Sequence, residues 1–430
     1  MNHNTLKPNP VIDDYGIDDD QLEYRTRFEL TESGVYVASA KQRRDRRECP
    51  LCHRSSTVVV HDRYDQTVRV RMPGGGIGLL RVDKAKFYCT ACRKHFTAPL
   101  TGVAKGASIS ELEKASIRED FGRKMSFTLI AELHHLDPSY ALRLFDKMFP
   151  AVPRLRLPRA LCIDEILFCS TADAKCPAIL YDFETRRIVD LVYSRQKAYL
   201  EQYFSKIPDG ERRSVRYFIS DMYDAYHRIG RKFFPGATYV VDLFHVVELL
   251  TRAVSRLRAA LMNSKPRDSL EYGFMKSRWR LFQCRKREVP DSYYTSRSEG
   301  ASMKCFDALM LCLNESPSLF HAWSVLQELY EWSRYDTFTE ALAFVERISK
   351  RLTGSASPLL KTVGETYWTW RVEIANGLVR NADGVRFSNC VAEGRNSDLK
   401  DIKKFSRGCT DFARYRKRAM IVINNDDKKK

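Results

Sequence analysis

Ala160-Leu161-Cys162-Ile163-Asp164-Glu165-Ile166-Leu167-Phe168 is an apolar run with two carboxylates in its middle. Strand geometry sends Cys162, Asp164, Ile166 and Phe168 to one face and Leu161, Ile163, Glu165 and Leu167 to the other. Both faces are otherwise apolar, so the run reads as a central strand covered on both sides. A carboxylate buried there is costly unless a cation or hydrogen-bond donors compensate it. Asp164 is then a salt-bridged core acid, an acid at a strand end that reaches solvent, or a metal ligand. Perturbed buried acids cluster at functional sites.

The residues that follow are rich in strands. Residues 178–182, a turn at 184–186 and residues 188–193 complete a three-strand meander. Residues 197–207 have helical period, and residues 215–221 form an apolar strand ending in Asp221. A helix over 223–234 and a fifth strand over 237–242 follow. Three antiparallel strands, helix, strand, helix, strand is the order of a ribonuclease H-like core. In that fold the first and fourth strands are neighbours. Asp164 and Asp221 would then converge, as a magnesium site needs. Asp242-x-x-His245 is either a strand-end acid with a hydrogen-bonded histidine or a pair that supports the site or touches DNA.

Residues 246–385 carry long helical periodicity with many aromatics, most of which read as core. Arg278, Arg280, Arg285, Lys286 and Arg287 make a basic patch around Trp279, either a solvated face or a place for stacking and phosphate contact. Beyond them, Glu393 opens a helix with Asn396 and Lys400 along its face and Lys403 just off it. A carboxylate beside amide and ammonium groups suits a metal site next to phosphates; the alternative is a surface helix of mixed charge.

Toward the N-terminus, residues 1–20 are polar and acidic, and short strands are expected near 23–30 and 35–40. Arg43, Arg44, Arg46 and Arg47 form a basic run, either a solvated loop or a DNA contact. Then come Cys49-Pro-Leu-Cys52 and Cys89-Thr-Ala-Cys92, with β-rich runs at 57–61, 67–72 and 79–88 and the turn Gly74-Gly75-Gly76 between them. Each C-x-x-C turn offers two thiolates to one ion, and two turns give the closed tetrahedral four-sulfur site that zinc prefers; a redox pair or chance spacing is the alternative. Such a zinc is structural. Residues 110–118, 126–133 and 139–148 turn helical, the last two joined at 134–138. They read as a helix-turn-helix or an ordinary helical hairpin, with Arg143 and Lys147 as candidate DNA contacts. Pro150, Pro153 and Pro158 mark a linker.

The chain has 430 residues, 44% hydrophobic, enough for several domains and a sizeable core. Its 72 Lys and Arg against 54 Asp and Glu give a net charge of +18, which favours a polyanion, because each neutralised phosphate releases counterions; an anionic membrane surface is the rival reading. No apolar stretch approaches the ~20 residues of a transmembrane helix, and the N-terminus lacks a secretion signal. The 12 cysteines, apart from the two pairs, are scattered and do not form a disulfide scaffold. An intracellular protein is expected.

Ile163-Asp164-Glu165, Ile219-Ser220-Asp221-Met222-Tyr223-Asp224-Ala225-Tyr226, Asp242-Leu243-Phe244-His245 and Ser388-Asn389-Cys390-Val391-Ala392-Glu393-Gly394-Arg395-Asn396 together resemble the DDE transposases of the ISL-three insertion-sequence group. The paired cysteines and the helix-turn-helix are similar to the same group, and the resemblance covers residues 45–423. It implies a multidomain α+β and α/β protein. Residues 1–40 are an N-terminal segment, 41–100 a zinc ribbon and 101–150 a helix-turn-helix. Residues 159–245 are the first part of a ribonuclease H-like core, interrupted by an all-helical insertion over 246–385. The core closes with a C-terminal helix over 386–423, and 424–430 are a loose basic tail.

The resemblance further implies that Asp164, Asp221 and Glu393 hold two Mg2+ ions, with Mn2+ as a substitute, for strand cleavage and 3′-end transfer. Arg395, Asn396, Lys400 and Lys403 become candidate DNA contacts, and Asp242 and His245 a supporting pair. The partners implied are double-stranded DNA, as transposon ends and target, and a second copy of the chain on that DNA, with no membrane. The location is the bacterial cytoplasm, at the nucleoid. Two rivals stand beside it: a transposase-derived DNA-binding protein that does not cut, and a resolving nuclease with the same core.

Overall fold

The computed structural model describes residue 17 and residues 22–43, 47–166, 176–296, 300, 302–331, 335–380, 384, 387, 390–405 and 411–426. They fall into two compact units, residues 1–152 with 401–430, and residues 153–400.

The first unit opens on β1 (Leu22–Tyr24), β2 (Glu29–Leu30), β3 (Tyr36–Gln42), β4 (Val58–Arg71), β5 (Ile77–Cys89) and β6 (Lys94–Thr97), joined in one sheet. Its path is β1-β3-β5-β4, with β2 on β3 and β6 on β5. The two runs expected on either side of Asp62 are one long strand, kept continuous by a bulge between Val60 and Asp62 that absorbs an extra residue. Gly74, Gly75 and Gly76 turn β4 into β5 at φ of +79°, +101° and +91°, a region that side chains with a Cβ avoid. β3 runs parallel to β5, so the segment before residue 41 shares a sheet with the knuckles. Ala38, Ala40, Val68, Val70, Leu80 and Val82 alternate inward to make its core.

Three helices follow: α1 (Glu111–Phe121), α2 (Phe127–Leu133) and α3 (Pro138–Met148). Each starts on a capping side chain. Ser110 accepts from Glu113 N, Ser126 from Leu129 N and Asp137 from Tyr140 N, and Pro138 stands in the first turn. Ile117, Phe121, Ile130, Ala141 and Phe145 bury between them.

The second unit holds a mixed sheet. Its elements are β7 (Ala160–Glu165), β8 (Ala178–Asp182), β9 (Ile188–Val192), α4 (Lys197–Ser205), α5 (Asp209–Arg212), β10 (Tyr217–Ser220), α6 (Asp224–Phe233) and β11 (Thr238–Val241). The strand order is β11-β10-β7-β8-β9. β7, β8 and β9 are antiparallel, while β10 runs parallel to β7 and β11 parallel to β10. Leu161, Ile163, Leu180 and Phe218 pack on Leu200 and Phe204 of α4 and on Tyr226 and Ile229 of α6.

After β11 come α7 (Leu243–Asn263), α8 (Leu270–Ser277), β12 (Tyr293–Thr295), β13 (Ser302–Lys304), α9 (Cys305–Asn314), α10 (Pro317–Leu329), α11 (Phe338–Thr353), α12 (Pro358–Thr369) and α13 (Arg371–Leu378). The insertion is therefore not all helical, because β12 and β13 pair antiparallel. Its core takes up Phe282, Trp323, Phe344, Tyr367 and Trp370, as the sequence indicated, while Trp279 and Trp368 stay exposed. Trp332 lies outside the described residues. α13 locks onto β11: Asn376 Nδ2 donates to Tyr239 O at 2.8 Å, and a Cβ on Gly377 would come within 2.8 Å of Val241 O.

The closing stretch forms two helices rather than one, α14 (Cys390–Phe405) and α15 (Phe412–Asp426). α15 belongs to the first unit and packs on α1. Its Arg418 is buried and donates to the carbonyls of Phe121, Arg123 and Met125, while Arg414 and Lys417 hold Asp146 at 2.6 and 3.0 Å. These cations serve packing. Asn424–Asp426, placed in a loose tail by the sequence, are helical; residues 427–430 lie outside the described residues.

Candidate active site and metal centres

β7 and β10 are in register, with Tyr217 opposite Ala160, Phe218 opposite Leu161 and Ile219 opposite Cys162. Continued, that register brings Asp221 level with Asp164. β10 and β11 pair Ser220 with Val241, and Asp242 N donates to Ser220 O at 2.8 Å, so Asp242 comes level with Asp221. Three aspartates thus stand abreast at the carboxyl ends of three parallel strands, where open α/β sheets place their ligands. Neighbouring residues in register point to the same face, so the three carboxylates share one.

Asp164 is 8% exposed, and its Oδ1 accepts from Glu165 N at 2.7 Å. Asp221 has a buried Oδ1 to which no group among the described residues donates. Burial raises its pKa to about 6, with Asp164 and Glu165 adding repulsion and His245 opposing them. Asp242 caps α7 by accepting from Phe244 N at 3.0 Å. Burial lifts it to about 7, against the pull of His245 and the Phe244 N–H, and Asp164 and Asp221 push it further. His245 Nε2 lies 3.6 Å from Asp242 Oδ2, and its Nδ1 lies 3.4 Å from Glu248. Burial works against its charge, but Asp242, Asp164 and Asp221 outweigh that and raise its pKa.

An orphaned buried carboxylate oxygen beside further acids fits a divalent cation. All the donors are hard oxygens, the set that magnesium or manganese takes. Glu393 falls on α14, but its side chain, like those of Arg395 and Asn396, lies outside the described residues. Just upstream, Phe387 is buried against Tyr217 and Phe183, with ring centroids 4.6 and 5.0 Å apart. Tyr217, Ile219 and Asp221 alternate to one face, so Phe387 brings the chain onto the aspartate face.

Glu165, unexplained in the sequence, is paired with Arg195, whose guanidinium also lies 5.0 Å over the Tyr223 ring. Arg195 was missed because no local pattern links it to Glu165. The Tyr226 hydroxyl is buried, with no partner among the described residues. Burial and the nearby Asp221 raise its pKa.

Cys49, Cys52, Cys89 and Cys92 bring their sulfurs within 4.8 Å of one another, with Cys52 and Cys89 3.8 Å apart. A tetrahedron with zinc–sulfur bonds of about 2.3 Å has edges of about 3.8 Å. The two turns repeat one geometry. His53 and Arg93 both have φ of +54° and donate their N–H groups to the carbonyls of Cys49 and Cys89. Thr57 leads in pulling Cys89 down to about 6, whereas Cys52 leads in pushing Cys92 up to about 12. Four sulfurs this close could all be thiolates only around a cation, and the geometry of the set fits zinc.

Of the candidate DNA contacts, Arg143 and Lys147 are exposed on α3 and, with Lys114, line a shallow cavity of ≈ 350 Å³. Arg43 and Lys400 are exposed, Arg47 and Lys403 are half-buried, and Arg44 and Arg46 lie outside the described residues. No helix among the described residues is long and apolar enough to cross a membrane.

A family model described as a transposase, that of the ISL-three DDE group, matches residues 161–419, and among curated proteins none matches the chain. The matched span runs from β7 into α15 and holds Asp164, Asp221, Asp242, His245 and Glu393, and with that match over more than half its length the chain belongs to the ISL-three family of DDE transposases.

Proposed function

We propose that this chain is an active transposase, which binds insertion-sequence ends, cleaves a strand by metal-dependent phosphoryl transfer and joins the 3′ end to target DNA. The carrying observation is the shared register of Asp164 and Asp221, with the Asp221 Oδ1 left without a donor among the described residues. The strand order β11-β10-β7-β8-β9, with only β7, β8 and β9 antiparallel, supports reading the core as ribonuclease H-like.

Asp164, Asp221 and Glu393 are the proposed ligands of two Mg2+ ions, with Mn2+ as a substitute. Bound there, such ions activate the attacking water or 3′-hydroxyl and stabilise the departing 3′-oxygen. The chain's own groups prepare the site. Asp221 must lose the proton that burial favours. Asp242, fixed by the Phe244 N–H, keeps its second oxygen toward His245, so the pair can hold a proton beside the ligands. Arg195 pairs with Glu165 and offsets part of its charge beside the site. The four-cysteine zinc is structural, because no coordination position stays open.

Arg43, Arg44, Arg46, Arg47, Arg143, Lys147, Arg395, Asn396, Lys400 and Lys403 are the proposed DNA contacts, and the two-helix segment α2–α3 is the proposed helix-turn-helix. Two ends cut together call for a homodimer on DNA, at the nucleoid of a bacterial cytoplasm.

The test is cleavage of DNA bearing the element's inverted repeats. Asp164→Asn should slow cleavage on the order of a thousandfold or more, since metal stabilisation of the transition state is worth several kcal/mol. End binding should persist. Retained cleavage removes Asp164 from the site, and a wild-type chain that binds ends but never cuts them favours the transposase-derived binding protein.

A further inference from the structure

A cavity in the insertion, away from the aspartates in sequence, measures ≈ 660 Å³. Arg285, Lys286 and Arg287 line it together with Phe306. That volume is in the range of pockets that hold small ligands, about 300–1,000 Å³. The basic turn is fixed in place. Gln327 accepts from Lys286 N at 2.7 Å and donates to Cys284 O at 3.1 Å, and the Tyr330 hydroxyl holds Gln283 O. Arg285 rests 5.6 Å over the Tyr330 ring, and Lys286 Nζ lies 5.3 Å from the Phe306 centroid.

Two acids, Asp291 and Glu331, also line the cavity, but Asp291 is paired with Lys304 at 2.9 Å. Arg285, Lys286 and Arg287 outnumber those two acids, so the lining keeps a positive excess. Close by in sequence, Trp279 is 41% exposed under the Arg280 guanidinium, a second flat ring beside a cation.

Cations held beside an aromatic face match a ligand with a phosphate and a flat ring. We infer that this cavity takes one unpaired nucleotide of a DNA strand, its base against Phe306 and its phosphate on Arg285, Lys286 and Arg287. Bases stack on aromatic side chains with little regard to sequence, and basic grooves follow the backbone. A paired base offers no free face, so the site selects unpaired over duplex DNA. The inference rests on the transposase reading, which supplies DNA as the ligand.

The probe is a duplex with a single-stranded thymidine tail carrying one 5-iodouracil, photo-crosslinked to the full-length protein and mapped by mass spectrometry. The adduct should fall on Phe306. Phe306→Leu should abolish it, and Lys286→Gln with Arg287→Gln should lower its yield about tenfold, the loss that about 1.4 kcal/mol of contact gives. Binding of the fully paired duplex should stay within about twofold, given the many other phosphate contacts of a basic chain. No adduct on Phe306, equal labelling by the paired duplex, or unchanged yield in the charge variant overturns the inference. If the tailed duplex binds without labelling Phe306, the cavity assignment alone fails. If the wild-type chain binds no DNA, the transposase reading fails with it.

Discussion

His134 shows how a single residue can hold a helical unit together. Its ring is fully buried, with Nδ1 2.6 Å from Glu113 and Nε2 2.9 Å from Asp120. Arg123 holds the other oxygen of Asp120 at 2.8 Å, and Arg69 feels the charge of Glu113. Both ring nitrogens face carboxylates, so only the imidazolium can donate to both. Burial disfavours that charge, yet the two acids outweigh burial and raise the His134 pKa. A raised folded pKa gives stability that is complete below the unfolded value of about 6.5 and is lost as pH climbs through the folded one. The melting temperature of the first unit should therefore fall as pH rises above about 6.5. His134→Gln should flatten that slope and cost about 3 kcal/mol at low pH, the usual toll of breaking a buried ion pair. An unchanged slope in the variant, followed by thermal melts across pH, would sink the assignment. The sequence showed His134 only as part of a turn, because its partners sit on α1, 14 and 21 residues earlier, and burial leaves no mark on a lone histidine. Asp164 was legible for the opposite reason: an acid inside an apolar strand is anomalous by itself. Asp242 was half legible, since alternation placed it at a strand end but could not show that three strands end level.

At the scale of elements, the knuckles and their sheet were read from spacing and from the glycine turn. What spacing left out was the parallel pairing of β3 with β5, because distant pairing carries no local signal. The second knuckle joins β5 to β6 at Cys89 and the first precedes β4, with Phe87 and Ala85 buried beside the sulfurs. A structural zinc lends its binding energy to folding, about 10 kcal/mol or more in small sites. Stripping the metal with a strong chelator should release about one zinc per chain, as one four-sulfur site requires. The melting temperature should fall with it, and Cys52→Ser should behave the same way. Metal content unchanged by the substitution, measured by mass spectrometry, would exclude the site. In the second unit the contact of α13 with β11 depends on the missing side chain of Gly377, next to Val241 O and Leu243. Gly377→Val must push that helix off the strand. A loss of about 2 kcal/mol is expected from overpacking, with cleavage impaired because β11 delivers Asp242. Stability within about 0.5 kcal/mol of wild type would show that α13 adapts.

Over the whole molecule, the charge of +18 is unevenly used. Arg143 and Lys147 project from α3, whereas Arg414, Lys417 and Arg418 are drawn into the packing of α15. Composition makes no distinction between exposed and buried cations. End binding should weaken steeply with salt, and Arg143→Gln or Lys147→Gln should each lower the slope of log K against log salt by about one. The return of α15 to the unit that begins the chain carries a sharper consequence. Arg418 is 2% exposed, and burial lowers its pKa to about 10, yet it satisfies the carbonyls of Phe121, Arg123 and Met125, between the end of α1 and the start of α2. Met fills a similar volume but donates nothing. Arg418→Met leaves those carbonyls buried without the guanidinium, at a cost of about 1–3 kcal/mol for each one that water cannot reach. The first unit should then melt several degrees lower and bind ends more weakly, while the second unit keeps its own melting transition. Calorimetry of the full chain separates the two transitions. A shift confined to the second unit, or no shift at all, would mean that α15 is not what braces the helices of the first.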